Sequence, residues 1–146
     1  MARYLEDFQP GDEVWSPGRT ITEADVMAFA GLSGDYNPAH TDYEFARRSA
    51  FGKPIAHGLL ALIVSAGLAD RDGGLDGTAI AMLGVTWRFK KPVFFGDTIR
   101  LKLSVTSARR ASSGQRGIIV RSVEVHNQHD EIVQDGEFTT MVKARS

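Results

Sequence analysis

His57-Gly58-Leu59-Leu60-Ala61-Leu62-Ile63-Val64-Ser65-Ala66-Gly67-Leu68-Ala69 holds the longest apolar run of the chain, Leu59 to Leu68, broken only by Ser65 and Gly67. Its apolar residues alternate with polar ones at no period. A helix apolar on all sides is expected to be buried on all sides, so this stretch reads as the axis of a core. It is far short of the ~20 apolar residues that span a bilayer. Asp70-Arg71-Asp72-Gly73-Gly74 ends it with charge and glycine.

Downstream of this helix the pattern changes to period two. Val85, Trp87 and Phe89 alternate with Thr86, Arg88 and Lys90. Ile99, Leu101, Leu103 and Val105 alternate with Arg100, Lys102, Ser104 and Thr106, the cleanest strand signal in the chain. Phe95-Gly96-Asp97-Thr98 is the turn between them. A third strand covers 117–127, with a bulge expected at Ile118-Ile119-Val120. Asn127-Gln128-His129-Asp130 is a hairpin turn, and a fourth strand over 132–142 is expected to be irregular at Gly136.

Upstream, Phe8-Gln9-Pro10-Gly11-Asp12 is turn chemistry, and 14–21 is a short strand broken at Ser16-Pro17-Gly18. Thr22 caps a helix that carries Asp25 in its first turn and a Val26/Phe29/Ala30 stripe, with Gly31 and Gly34 ending it. Asp42 caps a further short helical turn through Phe45 and Arg48. Helices early and long antiparallel strands late make an α+β fold, with a sheet wrapped around the apolar helix. Such a sheet leaves free edges, for which a second copy is a natural cover.

The 146 residues fit one domain, 1–146, with 42% apolar and 24% charged residues. A formal net charge of −1 argues against nucleic acid as the partner. The absence of cysteine excludes disulfides, thiolate metal sites and a cysteine nucleophile. The acidic N-terminal residues Glu6 and Asp7 do not suit a signal peptide, so the expected address is cytoplasmic, away from the membrane.

Two constellations carry candidate chemistry. In Gly31-Leu32-Ser33-Gly34-Asp35-Tyr36-Asn37-Pro38-Ala39-His40, Pro38 argues against a regular helix and pushes Asn37 toward an extended conformation. Asp35 and His40 are then free to converge, and a carboxylate with an imidazole can activate water near neutral pH. The same residues also suit an ordinary Asx turn, and both readings stay open at this level. The second constellation is Pro54-Ile55-Ala56-His57-Gly58, at the start of the apolar helix. Unpaired N–H groups there, with a glycine that admits close approach, suit a carbonyl oxygen gathering negative charge. The alternative is that Gly58 only permits tight packing. His126 and His129 as metal ligands, and Arg88 with Lys90 and Lys91 as phosphate contacts, are weaker than a solvated turn and an exposed strand face. Ser65 is expected to bond a carbonyl one turn earlier.

Ser33-Gly34-Asp35-Tyr36-Asn37-Pro38-Ala39-His40 with Phe51-Gly52-Lys53-Pro54-Ile55-Ala56-His57-Gly58 resembles the MaoC-like family of (R)-specific enoyl-CoA hydratases and acyl dehydratases. Trp87 to Thr98 is similar to that family too. The resemblance implies a hot-dog fold, a long antiparallel sheet curled around one helix. It implies Asp35 and His40 as catalytic residues and the Gly58 N–H as the thioester carbonyl site, with Asn37, His57, Ser65 and Ala66 as candidate substrate contacts. The implied substrate is an acyl thioester of coenzyme A or of acyl carrier protein, in fatty acid metabolism. Neither a metal nor another cofactor is implied, and the protein is expected as a homodimer or higher homo-oligomer. The family's helix serine falls on Ala66, with Ser65 one step, ~100°, away around the helix. A hot-dog acyl-CoA thioesterase and a non-catalytic acyl-thioester-binding subunit are the alternatives, the latter favoured by Ala66.

Overall fold

Ile99, Leu101, Leu103 and Val105 all point into the core from β4 (Thr98–Arg110), as their alternation requires. The computed structural model describes residues 1–146, apart from the side chains at positions 72 and 73. β4 pairs with β5 (Arg116–His126), which pairs with β6 (Ile132–Lys143), which pairs with β3 (Ala79–Phe89). Two short strands, β1 (Glu13–Trp15) and β2 (Arg19–Thr20), add to the other side of β4. All pairs are antiparallel, in the order β1-β4-β5-β6-β3. The apolar stretch forms α4 (Gly58–Gly73), and Leu60, Ala61, Leu68 and Ala69 pack against Ile99, Leu101, Val123, Val125 and Phe138. This is the α+β hot-dog arrangement. Each fully buried branched or aromatic side chain in that contact stabilises the fold by about 1.5–3 kcal/mol.

One face of α4 is not covered. Leu59 and Ile63, one turn apart, are 55% and 50% exposed, so the expectation of burial on every side fails within a single chain. Strand β3 behaves the same way. Ile80, Met82, Leu83, Val85 and Phe89 of β3 are all exposed, so its period-two pattern does not separate a wet face from a dry one. β3 is also the last strand of the sheet, with one edge unpaired.

Three local expectations are corrected. The bulge expected at 118–120 is absent, since β5 alternates regularly and Ile118 and Val120 lie half-buried on the outer face. The irregularity falls instead between Val105 and Ser107 of β4, where Thr106 donates its hydroxyl to Val120 O at 3.0 Å. β6 runs in unbroken register through Gly136, which pairs with Trp87 on one side and Val123 on the other. Pro38 does not exclude a helix: it opens α2 (Pro38–Thr41) from the first helical position, where its fixed φ is suitable and no N–H is needed.

α1 (Glu23–Ser33) starts at Thr22 with a reciprocal capping box to Asp25 and ends at Gly34, φ 79°. Gly31 lies inside it. α3 (Tyr43–Arg47) is capped by Asp42, as expected. The inward residue Arg121 of β5 is buried at the other end of α4, its Nη1 3.4 Å from Ala69 O. Burial pushes its pKa below the ordinary arginine value, while the carbonyl end of the helix favours a cation there.

The chain ends are tied by charge. Arg145 donates to both carboxylate oxygens of Asp7, at 2.7 and 2.6 Å, and the Tyr4 N–H donates at 2.9 Å. These bonds hold the Asp7 carboxyl down at about 2 from an ordinary 3.8. A depressed carboxyl stabilises the fold above its unfolded pKa and loses that contribution as pH falls through its folded one. Melting curves of Arg145→Ala and wild type should therefore differ at neutral pH and converge between 3.8 and about 2. A gap that persists unchanged at the acid end contradicts this role.

Candidate active site

Asp35 sits just past the left-handed Gly34 that ends α1. Its Oδ1 accepts from the Asn37 N–H at 3.2 Å, and the Asn37 Oδ1 accepts from the Ala39 N–H at 3.0 Å. The Asx-turn reading is therefore correct, and Asn37 serves as the N-cap of α2. That turn is also what delivers His40. The His40 Nδ1 lies 2.6 Å from Ile55 O. A carbonyl oxygen only accepts, so Nδ1 carries the hydrogen and Nε2 presents a lone pair.

His57 ties the two constellations together. It is 3% exposed and precedes α4 as its N-cap residue. Its Nε2 donates to the backbone oxygen of Asp35 at 2.8 Å, and its ring stacks on His40 with centroids 3.8 Å apart. Phe29 of α1 packs on its flank, 4.6 Å between centroids. Asp35, His40 and His57 each bring one polar side-chain atom within 4.8 Å of the others. The Asp35 side chain is half exposed, so the cluster is open to water on that side.

The start of α4 is built to leave its N–H groups open. His57 supplies no side-chain cap, and the N–H groups of Gly58 and Leu59 have no earlier carbonyl of the helix to meet, whereas the Leu60 N–H already donates to His57 O at 3.0 Å. Gln134, buried on β6, donates to Gly58 O at 3.0 Å, and its own Oε1 accepts from Trp87 Nε1 at 2.9 Å. This relay fixes the first peptide units of the helix to the sheet. A Cβ at position 58 would come within 2.8 Å of the Phe89 ring, so glycine is what allows that ring to lie there. A cleft of about 320 Å³ opens beside Gly58, walled by Ile55, Phe89, Lys90, Lys91 and Gln134. Ile55 is the residue shared between this cleft and the anchoring of His40.

The other candidates separate clearly. Ser65 is fully buried and donates its hydroxyl to Ala61 O at 2.6 Å, as expected of a helix serine. Ala66 packs half-buried against the core. Arg88 and Lys90 both pair with Asp135, at 2.8 and 3.1 Å. His126 bonds Glu124 at 3.0 Å and stacks edge-on against Trp15. It forms no three-ligand group with His129 among the described residues. Ile55, Gln134 and Trp87 were not legible as parts of this site from spacing. His57 was legible only as a neighbour of Gly58, not as the link to Asp35.

Known proteins resemble this chain over most of its length. The MaoC like domain family matches residues 7–129. The (R)-specific enoyl-CoA hydratase of Rhodospirillum rubrum is 35% identical over 146 residues, covering 99% of this chain and 95% of that protein. The chain belongs to the MaoC-like family. Protein MaoC of Klebsiella aerogenes is 43% identical over 115 residues, or 78% of this chain, but the match spans only 33% of that longer protein. Among solved structures, an R-hydratase from Pseudomonas aeruginosa superposes with a TM-score of 0.81 at 30% identity, over 97% of this chain and 86% of that one. At the position next to Ala66, the Ser65 hydroxyl is spent on its own helix.

Proposed function

We propose that this MaoC-like protein is a hydratase or dehydratase of acyl-CoA thioesters, adding water to trans-2-enoyl-CoA to give the (R)-3-hydroxyacyl thioester, or running the reverse. The observation that carries the reading is the convergence of Asp35 and His40 beside the uncapped start of α4. Asp35, with the His40 Nε2 lone pair, takes a proton from water as its oxygen bonds to C3. The C2–C3 π electrons shift toward the thioester carbonyl, whose oxygen is met by the Gly58 N–H. The proton held by the pair returns to C2, so water is added whole and the residues end unchanged. His57 positions Asp35 through its backbone oxygen, and Ile55 fixes the His40 tautomer. The handle is coenzyme A or acyl carrier protein.

The active form is inferred to be a homodimer. The uncovered Leu59 and Ile63 face and the apolar, unpaired edge strand β3 are two liabilities that one second copy covers. Sedimentation at micromolar concentration should give twice the 15.9 kDa chain mass, and a monomer there refutes this arrangement. For the reaction, a panel of enoyl-CoA thioesters of short, medium and branched chains should lose conjugated-thioester absorbance, with the R hydroxyacyl product recovered. No turnover across the whole panel removes the assignment.

A further inference from the structure

The catalytic pair has a third member that the hydration chemistry does not use as a reacting group. We propose that Asp35, His40 and His57 form a binding site for one divalent d-block cation, such as zinc, whose occupation closes the site to substrate. The three side chains supply two imidazoles and one carboxylate, a donor set that suits zinc, cobalt or nickel and not magnesium or calcium. Their ligand atoms already lie within 4.8 Å of one another, with His57 Nε2 4.0 Å from Asp35 Oδ2. Around a tetrahedral cation with bonds of ~2.1 Å, neighbouring ligands stand ~3.4 Å apart. The half-exposed Asp35 side chain can make that closure by a rotamer change, and the two rings, tilted 28° to each other, must open further to admit the ion.

His40 carries the outer contact that a ligating histidine needs, and His57 lacks one. The bond from His40 Nδ1 to Ile55 O aims the Nε2 lone pair away from that carbonyl and fixes the ring, the usual support of a ligating histidine. His57 Nδ1 is buried without a partner, so it can take the proton when Nε2 turns from Asp35 O to a cation. Solvent on the Asp35 side supplies the remaining ligand as water. Among the described residues no second group of three such side chains comes within this range, so the expected stoichiometry is one ion per chain. Occupation takes the Asp35 carboxylate and the His40 lone pair at once, which removes both groups that handle the proton.

Dialysis against limiting Co²⁺ tests this without any substrate. Wild type should retain one Co²⁺ per chain with the visible bands of a low-coordinate site, displaced by Zn²⁺ and not by Mg²⁺. Asp35→Asn and His40→Gln should each weaken retention by more than about 10-fold, while His129→Gln retains it fully. A second readout needs only the wild type: Zn²⁺ should slow modification of His40 by diethyl pyrocarbonate, mapped by mass spectrometry, and leave His129 unprotected. Overturning results are a wild type that retains no Co²⁺, retention equal in all three variants, or His40 modified at the same rate with and without Zn²⁺. Neither readout depends on turnover. A protein inactive on thioesters can still satisfy both, and an active one can still fail them.

Discussion

Asp35→Asn is expected to lower kcat for enoyl-CoA hydration by about 10³-fold while leaving the melting temperature within a few degrees of wild type. General-base catalysis by a placed side chain is worth about 10²–10⁴, and asparagine removes the base while keeping the shape. Its amide oxygen can still accept the Asn37 N–H that Asp35 Oδ1 now accepts, so the turn that delivers His40 survives. The loss should fall on kcat more than on KM, because the carboxylate acts on water and not on the thioester. His40→Gln should lose less, since His40 assists the same proton and has no separate one of its own. Steady-state rates with a single short enoyl-CoA measure both. A fully active Asp35→Asn protein removes Asp35 from the mechanism.

Gly136→Ala should cost about 3 kcal/mol or more, a drop of about 6–12 °C in melting temperature for a chain of this size. A Cβ at that position would stand 1.9 Å from Thr86 O and 2.6 Å from a Trp87 ring carbon. The first of these is backbone, which cannot rotate away, so β3 must separate from β6. The cost reaches the site as well. Trp87 stacks on Phe138 with centroids 5.3 Å apart, and its indole N–H holds Gln134, which in turn holds Gly58 O. Gly67→Ala is the control, because a Cβ there meets nothing within 4 Å. Thermal melts of the two variants should move apart, with Gly67→Ala near wild type. Equal melting temperatures for Gly136→Ala and wild type would show that the close approach of β3 and β6 is not obligatory.

How far the fold was legible depends on whether one face of each element is dry. β4 is dry on one face and wet on the other, so Ile99 to Val105 announced their own direction. β3 is different: its residues meet water on both faces within one chain, and the alternation around Trp87 belongs to an edge strand with one side unpaired. α4 was recognised from composition, but composition does not say whether the sheet or a second chain covers Leu59 and Ile63. Gly136 looked like an irregularity because glycine weakens strands in general, whereas here it admits the Trp87 ring and the Thr86 carbonyl. Pro38 looked like a helix breaker because its position relative to the helix start was not visible. In the candidate site, the residues left the approach of Asp35 and His40 open beside an ordinary turn, and the resemblance singled the pair out; the turn does bring them together. Ile55, Gln134 and Trp87 were not, since each acts through a bond to an element far along the chain, and period and spacing carry no trace of that.

The proposed hydration has Asp35, His40 and the Gly58 N–H act together on an enoyl thioester to add water across C2 and C3. Its most direct measurement follows wild-type protein with a trans-2-enoyl-CoA in water labelled with heavy oxygen, reading the products by mass spectrometry and free thiol with a thiol-reactive dye. One heavy oxygen on C3 of an intact acyl-CoA is expected, with no thiol released. Heavy oxygen in a free carboxylate, with one thiol for each acid formed, would contradict it and make the protein a thioesterase.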